Sequence, residues 1–115
     1  MTFDEYQQAT LEFELMQRGV ASKAHDPAMI AKVLGLVGEA GEVAEKFKKI
    51  IRDKDGKISD QDRMDIQKEL GDVLWYVSVL ADYLECSLSG VAQANLDKLR
   101  SRKSRGVSRG SGDDR

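Results

Sequence analysis

At 115 residues, 41% hydrophobic and 33% charged, with ten glycines and one proline, the chain has the size and composition of one globular domain, which excludes collagen-like, proline-rich and wholly disordered classes. Cys86 stands alone, so a disulfide framework and a Cys-rich zinc site are excluded within one chain, and a reducing, cytoplasmic setting is the default. The net charge of −2 is uneven: residues 100–115 hold six Lys/Arg against two Asp, and residues 1–99 hold 12 against 18 Asp/Glu, so an acidic body unsuited to duplex DNA carries a basic tail.

Thr2 followed by Glu5 forms a capping-box start, and Phe3, Tyr6, Phe13 and Met16 recur near helical spacing, which predicts a first helix up to Gly19. Acids precede any apolar run here, the wrong order for a secretory signal. Gly19 to His25 reads as a connector, with His25 a surface loop residue. Asp26-Pro27 then supplies an N-cap and a proline at the first helical position. Ile30, Val33, Leu34, Val37, Ala44 and Ile51 keep a period of 3.6 up to Arg52, predicting a long, well-buried second helix broken by Asp53-Lys-Asp-Gly56. Gly35, Gly38 and Gly41 each disfavour helix by about 0.8–1 kcal/mol, and their spacing allows a backbone or a ligand to come close to one side.

Ser59 with Asp62 caps a third helix, whose stripe runs through Ile66, Leu70, Val73, Leu74, Val77, Leu80, Ala81 and Leu84 to Cys86, itself read as a small buried hydrophobe. Its longest uncharged stretch, Val73 to Ala81, is far short of the roughly 20 apolar residues that span a bilayer. Ser87 or Ser89 opens a fourth helix carrying Leu88, Val91, Ala92, Leu96 and Leu99, which fades near Arg102. No strand pattern or repeat appears. The predicted architecture is an all-α four-helix bundle over residues 1–100, followed by a flexible basic Gly/Ser/Arg tail over residues 101–115.

The informative residues are acids. Glu39 and Glu42 on the second helix lie roughly 60° apart around its axis, and Glu69 and Asp72 repeat the spacing on the third, with Tyr76 and Tyr83 continuing their line. Two such pairs on neighbouring helices repel unless a cation lies between them, and oxygen-only ligands favour Mg²⁺, Mn²⁺ or Ca²⁺. Equally, i, i+3 acids commonly line solvated helix faces. Glu45 is either a further ligand or an exposed partner of Lys48 and Lys49, the latter being favoured. Asn95 falls on the face the fourth helix should bury, where its amide either satisfies internal backbone groups or reads a ligand; Lys98, one turn on, could reach a phosphate or snorkel. Trp75 and Tyr76 are read first as packing residues and second as base-stacking ones. Trp75 and Val79 lie off the centre of the third stripe, which predicts apolar exposure and self-association. Asp53 to Ser59 imitates the middle of a calcium loop, but Ile51 would occupy its first ligand position. With one histidine, the chain also lacks the Glu-x-x-His pairs of a di-iron bundle.

Gly38-Glu-Ala-Gly-Glu-Val-Ala-Glu45, then Glu69-Leu-Gly-Asp-Val-Leu-Trp-Tyr76, Asn95-Leu-Asp-Lys98-Leu and the terminal Gly110-Ser-Gly-Asp-Asp-Arg115 resemble the signature of the MazG-like nucleoside triphosphate pyrophosphohydrolases. The resemblance covers residues 27 to 115, and Glu5-Tyr-Gln-Gln-Ala9 is also similar to that type. It implies a homodimer or homotetramer in which Glu39, Glu42, Glu69 and Asp72 hold Mg²⁺, with Mn²⁺ as a substitute. Asn95 and Lys98 would contact the nucleotide, joined by Tyr76, Arg109 and Arg115, while Glu42, or else Glu39, takes the proton of the attacking water. The implied reaction converts an NTP or dNTP to the monophosphate and pyrophosphate, as nucleotide-pool house-cleaning. The alternative is a helical oligomer that binds nucleotide slowly or without turnover, as a sensor or protein-interaction module. By composition the basic tail is either a solvated segment that keeps the protein soluble or one that folds over bound phosphates without affecting ligand-free stability, and the similarity of Gly110 to Arg115 to the family's terminal motif favours the second.

Overall fold

A computed structural model describes residues 1–16 and 24–115. Among these residues there are four helices and no strand: α1 (Phe3–Leu11), α2 (Pro27–Lys54), α3 (Asp60–Tyr83) and α4 (Leu88–Ser104). Each start is built as its sequence implies. Thr2 and Glu5 exchange the two bonds of a capping box, as do Ser59 and Asp62; Asp26 accepts from Met29 N–H ahead of Pro27, and Ser87 accepts from Gly90 N–H. The stop of α2 uses Asp55 and Gly56, both at positive φ, with Gly56 N–H donating back to the Ile50 carbonyl.

α1 is shorter than its apolar spacing implies. It ends at Leu11 because the Thr10 carbonyl is taken by Trp75 Nε1–H at 3.2 Å and by Phe13 N–H, and the chain turns through further short-range bonds at Glu12 and Glu14. Phe13 and Met16 therefore lie outside the helix, and Gly19, where it was expected to stop, falls outside the described residues.

α3 is the hub. Ala28 and Met29 of α2 pack on its Val79 and Tyr83, with Trp75 and Leu80 against them. Buried Gln7 ties three elements together: its Nε2 donates to the Ser78 and Cys86 carbonyls, and its Oε1 accepts from Leu88 N–H. Thr10 Oγ1 meets Ser78 Oγ at 2.8 Å. Val79, expected to be partly exposed, is fully buried in this core, while Cys86, expected to be buried, is exposed just beyond the end of α3.

A single chain does not close into a bundle. Among the described residues α2 packs against no helix but α3, and α2 and α4 do not touch. The radius of gyration is 17.0 Å, against about 13 Å for a compact chain of this length. The cause is length: a 28-residue α2 extends about 40 Å, beyond what α1 and α4 reach. The apolar stripe of α2 is consequently not well buried, and Ile30, Val33, Leu34 and Val37 are exposed. No helix among the described residues is long and apolar enough to cross a membrane.

Candidate metal and nucleotide site

In the N-terminal third of α2, Tyr76 of α3 lies so close that a methyl group at Gly35 would overlap its ring, whereas Gly38 and Gly41 face open space. That contact brings acids from both helices together. One carboxylate oxygen each from Glu39, Glu69 and Asp72 lies within 4.8 Å of the others, with Glu39 and Glu69 half-buried and Asp72 exposed. Burial first, then the charges of Asp72, Glu69 and Glu42, push the Glu39 carboxyl above its ordinary range. Among the described residues the cation paired at the cluster is Lys46, whose Nζ is 3.5 Å from Glu69 Oε1. Burial and the charge of Asp72 also raise the Tyr6 phenol, which marks that side chain as a neighbour of the cluster.

Three hard oxygens at this spacing, incompletely neutralised, fit a divalent cation such as Mg²⁺ or Mn²⁺. Glu42, one helical turn beyond Glu39, is exposed and stands outside the close triad. Glu45 pairs with Lys48 at 2.7 Å and Lys49 at 3.9 Å, and so is a half-buried ion-pair partner. Asp53 and Asp62 of the apparent calcium loop pair with Arg52 and Lys54 instead.

The acids open into a cleft of about 390 Å³ lined by Phe13, Glu39, Asp72, Trp75 and Tyr76. Trp75 and Tyr76 meet edge to face at 4.9 Å. Tyr76 was singled out from the sequence as a substrate contact. By spacing Phe13 belongs only to a helix face and Trp75 first to packing, because nothing local in the sequence shows that α1 ends before Phe13 or that Trp75 reaches its last turn.

The other residues singled out do not line this cleft. Asn95 is exposed on α4, not buried, since no element among the described residues covers that face; it shares a shallow depression with Val91, Ala94 and Lys98. Lys98 Nζ is 3.2 Å from Asp113 Oδ1. α4 continues to Ser104, and residues 105–115 curl back along it, with Gly106, Gly110 and Gly112 at positive φ. Buried Arg102 donates through Nη2 to the Gly112 and Asp113 carbonyls, while its Nε–H finds no acceptor among the described residues. Arg115 donates to the carbonyls of Val107, Ser108 and Gly112, and Arg109 is exposed.

Residues 29–107 match the family model of the MazG nucleotide pyrophosphohydrolase domain. The chain is 63% identical over 82 residues to the Gene 37 protein of Mycobacterium phage L5, which covers 71% of this chain and 72% of that protein. That name carries no activity. No solved structure matches.

Proposed function

The chain belongs to the MazG nucleotide pyrophosphohydrolase family, and from that premise we propose that it hydrolyses an NTP or dNTP to the monophosphate and pyrophosphate, clearing unwanted nucleotides. The observation that carries the reading is the cross-helix carboxylate triad, whose mutual repulsion and raised Glu39 are costs that an unliganded scaffold has no reason to keep. Glu39, Glu69 and Asp72 are the residues that hold the cation, with Glu42 alongside. When bound, Mg²⁺ or Mn²⁺ neutralises the triphosphate and favours pyrophosphate as the leaving group.

The chain's own residues do the rest. Glu42, outside the triad, accepts a proton from the attacking water, and Glu39 is the second choice. The water oxygen bonds to the α-phosphorus while the α–β bridging P–O bond breaks, so that water is consumed and pyrophosphate departs. Tyr76, seated on Gly35, borders the substrate. Asn95 and Lys98 are assigned to the nucleotide as contributions from a second copy, because α4 does not reach α2 within one chain. The exposed Ile30, Val33, Leu34 and Val37 supply an apolar surface for that dimer, or for a tetramer. Arg109 and Arg115 remain phosphate contacts in this reading; Arg115 must first leave its carbonyl partners.

Pyrophosphate release from a panel of (d)NTPs, with Mg²⁺ and with chelator, tests the proposal. Magnesium-dependent release from at least one nucleotide is expected. Tight nucleotide binding with no release from any of them would replace it with the sensor reading. Light scattering that gives the mass of one chain at micromolar concentration would remove the shared site.

A further inference from the structure

Phe13 is two-thirds exposed, yet it sits in a turn that is tied to the interior on both sides. Its N–H donates to the Thr10 carbonyl, which also accepts from Trp75 Nε1–H. The next residue, Glu14, is anchored in the interior. Its Oε2 lies 2.9 Å from Lys32 Nζ and accepts from Tyr83 Oη at 2.9 Å, and its Oε1 accepts from Met16 N–H. Both side chains of the Glu14–Lys32 pair are at least nine-tenths buried, and the Lys32 ammonium lies 5.8 Å from the ring centroids of Trp75 and Tyr83. A buried ion pair carries a desolvation cost and gives little net stability over an apolar pair, so its presence calls for a reason other than stability. What it fixes is a turn that sets a largely exposed aromatic ring in the lining of the acidic cleft, together with Trp75 and Tyr76.

We propose that Phe13 stacks on the nucleobase of the substrate, and that the Glu14–Lys32 pair is the positioning device that holds it there. The cleft divides chemically: its carboxylates suit the cation and phosphates, and its aromatic rim suits the uncharged, flat end of the same ligand. Phe13 and Glu14 lie outside the residues matched by the family model, whereas Trp75 and Tyr76 lie within them. The inference rests on the pyrophosphohydrolase reading, because it needs a nucleotide in that cleft.

The test compares two probes in the presence of Mg²⁺: α,β-imido deoxynucleoside triphosphates of the four common bases, and inorganic tripolyphosphate, which has no base. Calorimetry gives affinities, and Trp75, the only tryptophan, reports cleft occupancy by fluorescence. Phe13→Ala is expected to weaken binding of the best nucleotide analogue roughly tenfold or more and to leave tripolyphosphate affinity unchanged, while Phe13→Tyr retains both. The double variant Glu14→Gln/Lys32→Met, which removes both charges together so that neither is stranded, should show the same nucleotide-selective loss. Equal loss of both probes in Phe13→Ala, or no loss of either, overturns base stacking, as does a fall in its oligomeric mass. A double variant that keeps wild-type affinity for both probes overturns the positioning role. Wild-type protein that binds neither probe and releases no pyrophosphate fails the parent reading, a result visible without any variant.

Discussion

Two regions of the molecule handle charge in opposite ways. On the α2–α3 pair three carboxylates crowd within 4.8 Å with one half-exposed lysine beside them. Along α4 two cations, Lys98 and Arg102, share the single carboxylate of Asp113, and Arg102 also has two carbonyls. The first region is charge-frustrated and the second is nearly satisfied by its own chain. Frustration marks where something must be added from outside, and satisfaction marks what the fold uses internally.

The sharpest way to break that comparison is to disarm the acidic side. Glu42→Gln should lower turnover by about 10²- to 10⁴-fold, and Asp72→Asn should abolish it, with helix content by circular dichroism intact. Because each removes repulsion, the metal-free variants should melt no lower than wild type. Wild-type turnover in either variant would end the assignment.

The next largest effect is expected at the other region, and in stability. Deleting residues 105–115 strips buried Arg102 of the Gly112 and Asp113 acceptors, a loss of about 1–3 kcal/mol readable in denaturant melts of the ligand-free protein. An unchanged melt would return this segment to the role of a tail that contributes nothing to the fold.

Lys46 offers a subtler adjustment of the acidic region. As the chain's own counter-ion at Glu69, it competes with a bound cation, so Lys46→Gln should tighten Mn²⁺ affinity by up to about fivefold in calorimetry. Weaker affinity would show that the lysine assists the ion instead.

The smallest effect is a difference of sign with pH. The Glu39 carboxyl is raised in the folded state by burial and its acidic neighbours, so its contribution is present at low pH and lost as pH rises through its folded pKa. The Asp113 carboxyl is lowered by bonds from Lys98 and then Arg102, so its contribution is present at neutral pH and lost as pH falls through the carboxylate range. In thermal melts of metal-free protein, Glu39→Gln should remove the decline towards neutral pH, and Asp113→Asn should remove part of the decline on acidification. The same sign in both would erase the contrast.

Features that depend on neighbours along the chain are legible in the amino-acid order. Caps at Thr2, Asp26 and Ser59, the choice of Ser87 or Ser89 for the fourth, the break within Asp53-Lys-Asp-Gly56 and the paired acids at i and i+3 are local, because hydrogen-bonding reach and the 3.6-residue turn act over a few residues. Where those elements meet depends on contacts between residues far apart in the chain. Trp75 ends α1 by taking the Thr10 carbonyl 65 residues away, and Tyr76 on Gly35 sets the helix approach that gathers Glu39, Glu69 and Asp72 but leaves Glu42 aside. Val79 became core and Cys86 surface for the same reason. Burial is a property of which faces are covered, and periodicity names a face without naming what covers it: the apolar stripe of α2 looked like core, and in a single chain it faces water.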